Sequence, residues 1–481
     1  MRLPLERLGS IHHLQTGEVW SADDLVRQVA ARARLLEKAG IGARSVVAIA
    51  RPASPGFFAD LFAVWSLGAT AACLDPGLTP AERETIARFA GAAAVLTGEG
   101  GPQEGWPVPV FALDGETPDA GATMPEGAGA GLDDPALILF TSGTTGAPKG
   151  VVLSFRAILA RLSLNVAHIG ETALARTLLT LPVHFGHGLI GNSLTALFAG
   201  GRLHIPQTGL ALASSLGRVV DDHRIGFFSS VPTLWRMALK LAKPPQGGTL
   251  MRVHVGSAPL TTELWSAIAD WSGAEVVNCY GITETANWIG GASSRHAMED
   301  GLIGRPWGGA AAVVGDDGRL HLKGEGEIAV QTPSLMSGYL DRPDLTGAVL
   351  GDGWYRTGDR GTVDEAGRIR LSGRIKDEIN RAGFKVQPAE IDGLLERHGS
   401  VAEACAFGLP DAVSGEIVAV AVRLADGAGE TAESLREWCL ERLRREAVPE
   451  RWFVVDEIPK TSRGKVSRDM VRKSLTETPC A

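Results

Sequence analysis

The sequence predicts an α/β protein. A large N-terminal domain of layered α/β subdomains carries a small β-barrel-like subdomain and is followed by a small α+β C-terminal domain. Three observations predict this. Short strand-like apolar runs alternate with amphipathic helical runs through roughly the first 300 residues, which implies helices packed on a largely parallel sheet. From Gly308 the texture becomes β-rich, in short runs joined by D-G and E-A-G turns. Gly and charge break that texture near 373–377, and the hundred or so residues that follow hold one mixed set of strands and helices. The domains drawn from these signals are 1–375, with the β-rich part at about 308–375, and 376–481.

Each element follows from local pattern. Leu25, Val26, Val29, Ala30, Ala33, Leu35 and Leu36 recur at helical spacing, and Gly40 stops the run, so 21–39 reads as a helix. SVVAIA (45–50) is a buried strand, 55–67 a second helix, GATAACLDP (68–76) a strand and turn, 79–90 an acid-rich helix and AAVLTG a further strand. The Gly-, Pro- and Asp-rich stretch 99–134 reads as a surface connection to the core strand ALILF (136–140). The alternation resumes with a helix at 155–167, the strand LLTLP (178–182), an apolar helix ending before Gly200 and the strand RLHI. Helices around 216–223 and 233–242 flank IGFFSSVP, and 251–260 and 274–288 are strand-then-loop units. In open parallel sheets ligands sit beyond the carboxyl ends of strands, so these loops are expected on one side. The tail alternates helices at 388–398 and 431–446 with the strands VAEACAFGLP, EIVAVAVRL and WFVVDEIP.

Composition excludes several classes. A length of 481 residues, 44% hydrophobic and 21% charged, describes a globular protein of more than one domain. Its net charge of −8, from 47 basic and 55 acidic residues, argues against broad nucleic-acid binding. No apolar run approaches the roughly 18 residues of a membrane span and the first residues lack a continuous apolar region, so a cytoplasmic protein without a membrane partner is expected. The five cysteines are odd in number, scattered and without a C-x-x-C pair, and read as free thiols. Neither H-E-x-x-H nor G-x-S-x-G occurs.

FTSGTTGAPKG (140–150) follows the ALILF strand and has the chemistry of an anion loop. Gly143 and Gly146 permit positive φ, Thr141, Ser142, Thr144 and Thr145 offer hydroxyls, and Lys149 adds a positive charge. It is not a Walker A loop, because Ala147 and Pro148 separate the second Gly from Lys149. YGITE (280–284) joins an aromatic ring that can stack on a purine to a carboxylate able to hold Mg²⁺ by one oxygen. Alone, Tyr-Gly is more often a turn beside a core aromatic. Asp359, in YRTGDRG, can accept both hydrogen bonds of a ribose diol, although an isolated T-G-D is also an ordinary turn.

Over its whole length the loop resembles the phosphate loop of the adenylate-forming superfamily, which comprises acyl- and aryl-CoA synthetases, adenylation domains of nonribosomal peptide synthetases and firefly luciferase. Five motifs stand in the family's order from the first helix to Lys465, most like an acid:CoA ligase. The resemblance implies that Tyr280 faces adenine, Gly281 binds the nucleotide and also walls the acyl pocket, Thr283 binds the α-phosphate, Glu284 binds magnesium, and Asp359 and Arg374 contact ribose. It implies a hinge at Lys376, a thiol-acceptor loop with Gly383, Phe384 and Lys385, and a catalytic Lys465 that reaches the carboxylate and α-phosphate, where a bare lysine would be merely exposed. In PVHFGHGL (182–189) it makes Phe185 the gate of the acyl pocket, flanked by His184 and His187, for which a packing role is the simpler reading. Val231, Gly256, Ser257, Ala258, Cys279 and Ile282 become pocket walls, with Trp288 nearby. Gly186 stands where amino-acid-activating relatives place an Asp, which argues against an amino-acid substrate. The implied substrates are a carboxylic acid, ATP with Mg²⁺, and coenzyme A. A carrier-protein phosphopantetheine is the alternative acceptor, and the chain is expected as monomer or homodimer. The family's mobile C-terminal domain would turn between the two half-reactions.

Overall fold

Capping boxes open two of the first three helices: Ser21 with Asp24 before Ala22–Lys38, and Thr79 with Glu82 before Pro80–Phe89, each satisfying backbone N–H groups left bare at a helix start. The computed structural model describes residues 5–114, 130–141, 149–382, 384–460 and 466–476. They form two compact units, Met1–Ala310 with Val330–Tyr355, and Ala311–Ala329 with Arg356–Ala481.

The first unit contains two sheets. In one, Pro135–Thr141, Thr70–Cys73, Val46–Ile49, Ala92–Thr97 and Val110–Ala112 run parallel in that order. Lys149–Ser154 returns antiparallel beside Pro135–Thr141, and Gly338–Tyr339 pairs on its outer side. The helix Pro55–Ser66 is buried on nearly every face, as its almost wholly apolar sequence requires. The 99–134 segment is more than a connection, because Val110–Ala112 adds an edge strand to this sheet. Three residues, none fully buried, leave too little periodicity to read.

In the other sheet six parallel strands run in the order Glu275–Ile282, Arg252–Val255, Phe227–Ser230, Arg176–Leu179, Arg202–Ile205 and Ile11–His13. Asn287–Ser293 and Val19–Trp20 close its two ends antiparallel. One face is filled by Trp235, Trp265, Leu216, Val253 and Val255, with the Trp265 Nε1–H donating to the Val276 carbonyl at 3.1 Å. Burying such side chains contributes roughly 1.5–3 kcal/mol each.

In the second unit Trp354–Val363 and Ile369–Arg374 pair antiparallel, as do Ala310–Val314 and Leu320–His321. Farther on, Phe384–Val386, Ile379–Arg381, Gly415–Leu424 and Val401–Asp411 form an antiparallel sheet to which Arg451–Val454 adds in parallel. Its core includes Ile391, Leu395, Val420, Leu435 and Cys439. The helix expected at 431–446 stops at Leu440, and a short 3-10 turn, Arg445–Ala447, follows. Val448 precedes Pro449 and must be extended, and the chain turns inward to bury Ala447 and Val448. Cys73, Cys279, Cys405 and Cys439 are buried free thiols.

Candidate active site

Four parallel strands end level at one edge of the eight-stranded sheet, with Leu179 opposite Ser229, Ser230 opposite Val255, and Val255 opposite Asn278. The segments at these carboxyl ends bring together most of the residues anticipated there. Phe185 and His187 follow the first strand, Val231 the second, and Gly256, Ser257 and Ala258 the third, while Cys279, Tyr280 and Gly281 lie in the last turns of the fourth. A side chain on Gly256 would place its Cβ 2.9 Å from the Cys279 carbonyl, and one on Gly281 would meet the Asn287 carbonyl at 2.3 Å. Only glycine allows the backbones to approach so closely.

His187 opens a π-helical stretch, His187–Leu194, a geometry often found at functional sites. Its Nδ1 lies 2.8 Å from Ser257 Oγ and its Nε2 2.5 Å from Ser229 Oγ, so the imidazole is fixed between two strand ends. Trp288 meets the ring edge-on at 5.5 Å. His187 thus belongs to the site through its hydrogen bonds as well as its packing. His184 packs edge-on against Phe185 at 4.1 Å. Ser257 has φ of 66°, a left-handed conformation that costs a non-glycine residue about 1 kcal/mol or more. Burial pushes the Cys279 thiol well above its ordinary pKa, which makes it a neutral wall and not a nucleophile.

Thr283 and Glu284 lie in the 3-10 turn Thr283–Thr285 that follows the fourth strand. The Tyr339 hydroxyl donates to Glu284 Oε1 at 2.7 Å and lies 3.3 Å from the Tyr355 hydroxyl. Tyr355 is pushed far above the phenol range, by burial first and then by the nearby Glu284, Tyr339 and Tyr280. Tyr339 and Tyr355 thus stand beside the Glu284 carboxylate, and Tyr280, the chain's third tyrosine, is near Tyr355. Lys149 Nζ is 5.4 Å from the Tyr339 ring centre, and Lys149 pairs in register with Thr141. Lys149 and Glu284 thus share Tyr339 as a neighbour. Ser142, Gly143, Thr144, Thr145 and Gly146 lie outside the described residues.

A buried arginine supports this turn. Arg161, in the helix Phe155–Ile169, donates to Ser334 Oγ at 2.6 Å and Thr332 Oγ1 at 3.0 Å, and Ser334 donates to the Thr285 carbonyl at 2.9 Å. Burial lowers its pKa to about 9. Ala286 and Asn287 follow with φ of 55° and 105°, so the chain behind Glu284 is strained and held.

In the second unit Asp359 and Arg374 are cross-strand partners, joined by an ion pair of 2.5 Å. Asp359 is buried, and its backbone N–H donates to Thr357 Oγ1. Lys376 lies exposed in the 3-10 turn Ile375–Asp377, Phe384 is exposed, and Lys385 Nζ pairs with Glu378 at 3.1 Å. Gly383 and Lys465 lie outside the described residues. Sequence reasoning did not find Tyr339, Ser229 or Arg161, which stand in no motif. The scarcity of tyrosine was the one available signal for Tyr339.

Strand ends that gather Phe185, His187, Gly256 and Ser257, and a carboxylate held by Tyr339, form the candidate site. The profile of the AMP-binding enzyme family matches residues 7–340, and that of the AMP-binding enzyme C-terminal domain residues 390–465. The chain is 30% identical to an oxalate–CoA ligase of Arabidopsis thaliana over 486 residues, covering 95% of this chain and 93% of that one. It is 32% identical to a feruloyl-CoA synthase of Amycolatopsis sp over 484 residues, covering 94% and 93%. Among solved structures it resembles o-succinylbenzoate CoA synthetase of Bacillus subtilis in complex with its acyl-adenylate intermediate, with a TM-score of 0.87, 25% identity and coverage of 99% and 96%. The same enzyme in complex with ATP and magnesium ion gives a TM-score of 0.86, 25% identity and coverage of 98% and 97%. The chain belongs to the AMP-binding enzyme family.

Proposed function

We propose that the chain is an ATP-dependent carboxylic acid:CoA ligase. The carboxylate attacks the α-phosphate of ATP and releases pyrophosphate, and the thiol of coenzyme A then takes the acyl group and releases AMP. The observation that carries this reading is Glu284, held by the Tyr339 hydroxyl at 2.7 Å with Lys149 over the same tyrosine ring. Both relatives are CoA ligases or synthases, and the solved neighbour holds an acyl-adenylate.

A carboxylate oxygen is a donor that Mg²⁺ accepts, and Mg²⁺ is usually held by one or two carboxylates with water and phosphate oxygens. Glu284 fits that description: it is partly exposed, and its other anchored oxygen fixes its direction. The metal, when bound, would offset phosphate charge. Lys149 and the loop hydroxyls would hold phosphate oxygens, Thr283 the α-phosphate, Tyr280 the adenine, and Asp359 with Arg374 the ribose. Lys465 would stabilise charge developing at the α-phosphorus, Lys376 would be the hinge between domains 1–375 and 376–481, and Gly383, Phe384 and Lys385 would guide the thiol.

Phe185, Val231, Gly256, Ala258 and Cys279 offer an apolar acyl pocket, into whose wall His187, Ser229 and Ser257 set hydrogen-bonding groups. This suits an acid with one further polar group. No helix among the described residues is long and apolar enough to cross a membrane, in keeping with a cytoplasmic enzyme. Incubation with ATP, Mg²⁺, coenzyme A and a panel of acids, reading thioester by mass, tests the reading. Thioester formation with at least one acid is expected; acid-dependent release of pyrophosphate without any thioester would refute the CoA step.

A further inference from the structure

Among the described residues one group of side chains has the composition and spacing of a transition-metal site, and it lies outside the residues assigned above. His12 and His204 are register partners on adjacent parallel strands, Ile11–His13 and Arg202–Ile205, so their side chains leave the same face of the sheet side by side. His223 follows the helix Leu210–Asp222, whose Leu212, Leu216 and Val220 pack on that face. At spacings of four, four and three the next position on the stripe is His223, which brings a third imidazole over the strand pair. Ring centres are 5.4 Å (His12–His204), 5.7 Å (His12–His223) and 5.5 Å (His204–His223) apart, and one ring nitrogen from each lies within 4.8 Å of the others.

A second observation points to a ligand. His204 is 1% exposed, yet its Nδ1 has no hydrogen-bond partner. Such a buried nitrogen costs about 1–3 kcal/mol if nothing meets it. The cluster also stands at the carboxyl end of a helix, where the backbone dipole favours positive charge. His12 and His223 are partly exposed, which leaves an approach for the ion and room for a water as fourth ligand.

We propose that His12, His204 and His223 bind one divalent transition cation of the Zn²⁺ class, which clamps the strand Ile11–His13 to its neighbour Arg202–Ile205 and to the helix behind them. Imidazole nitrogens select Zn²⁺ and its neighbours over the oxygen-seeking Mg²⁺, so the site is chemically separate from one at Glu284.

The test uses tag-free, chelator-treated full-length protein dialysed against Zn²⁺, with bound metal counted, and Co²⁺ as a spectroscopic probe of nitrogen ligation. One Zn²⁺ per chain and a tetrahedral Co²⁺ absorption band are expected. His12→Gln and His223→Gln alter partly exposed side chains and should keep the fold. Each should lose affinity by more than the ~10–100-fold typical of disturbing an outer-shell partner, while His398→Gln changes nothing. Zinc should raise the melting temperature of the native chain and of neither variant, and Mg²⁺-dependent release of pyrophosphate should be equal in all. Sub-stoichiometric zinc in the native chain, or undiminished binding in both variants, overturns the proposal.

Discussion

Glu284 is the residue on which the site turns, and its orientation depends on a single phenol. A hydrogen bond to an ionised carboxylate contributes about 1.5–3 kcal/mol, so Tyr339→Phe should slow pyrophosphate release by roughly 10–100-fold and raise the Mg²⁺ concentration needed for half-maximal rate. Glu284→Gln, which replaces the anionic oxygen itself, should do more in the same direction; rates measured across a magnesium series check both. Phe185→Ala should change which acids are accepted while ATP binding holds, as judged by comparing the acid panel with nucleotide titration. At this scale the sequence showed residues that stand in contiguous motifs, since Y-G-I-T-E places Tyr280 and Glu284 four residues apart on one strand end. It did not show Tyr339, which is 55 residues away and reaches Glu284 only through the pairing of Gly338–Tyr339 with Lys149–Ser154. The Ser229 hydroxyl beside His187 was hidden in the same way, because it lies on a separate strand, Phe227–Ser230.

Among the elements, helix Phe155–Ile169 both packs the core and braces the turn Thr283–Thr285, because Arg161 is tied through Ser334 to the Thr285 carbonyl. Arg161→Met keeps much of the volume and removes the tie, so Ser334 and Thr332 lose their charged partner. Turnover should fall by about tenfold or more, with the melting temperature lowered; normal turnover in a folded Arg161→Met protein would remove Arg161 from the positioning role. A second buried group holds the first helices together. Asp60 accepts from Arg32 at 2.8 Å and Arg51 at 2.9 Å, and all three are almost fully buried. Asp60→Ala leaves both guanidinium groups to Asp114 alone, which pairs with Arg32 at 3.3 Å and Arg51 at 2.9 Å, and should lower stability towards urea by about 3 kcal/mol. Helix and strand positions were legible where caps and periodicity were strong, as at Ser21 and Thr79. They were less so where tertiary burial decided the outcome, as at Val110–Ala112 and in the early end at Leu440.

For the molecule as a whole, buried imidazoles set an acid limit. Burial, and then the nearby Arg252, lowers His168 to about 4, and burial holds His254 well below the ordinary imidazole value. Both take up protons more readily unfolded, near pH ~6.5. Their contribution is therefore complete above pH ~6.5 and is lost as pH falls from there towards about 4. The urea midpoint should drop between pH 7 and pH 5, and His168→Gln should lessen the drop. The half-reactions should also separate: Lys465→Ala is expected to stop adenylation yet leave transfer from supplied acyl-adenylate to coenzyme A, and Lys376→Pro the reverse, because proline fixes φ at the proposed hinge. The most direct test of the central claim follows the nucleotide products of ATP with and without a carboxylic acid and coenzyme A. Pyrophosphate and acyl-adenylate in equal amounts, formed only when an acid is present, and AMP in equal amount with a thioester only when coenzyme A is added as well, are predicted. ADP and phosphate, or pyrophosphate release that ignores the acid, would contradict the account.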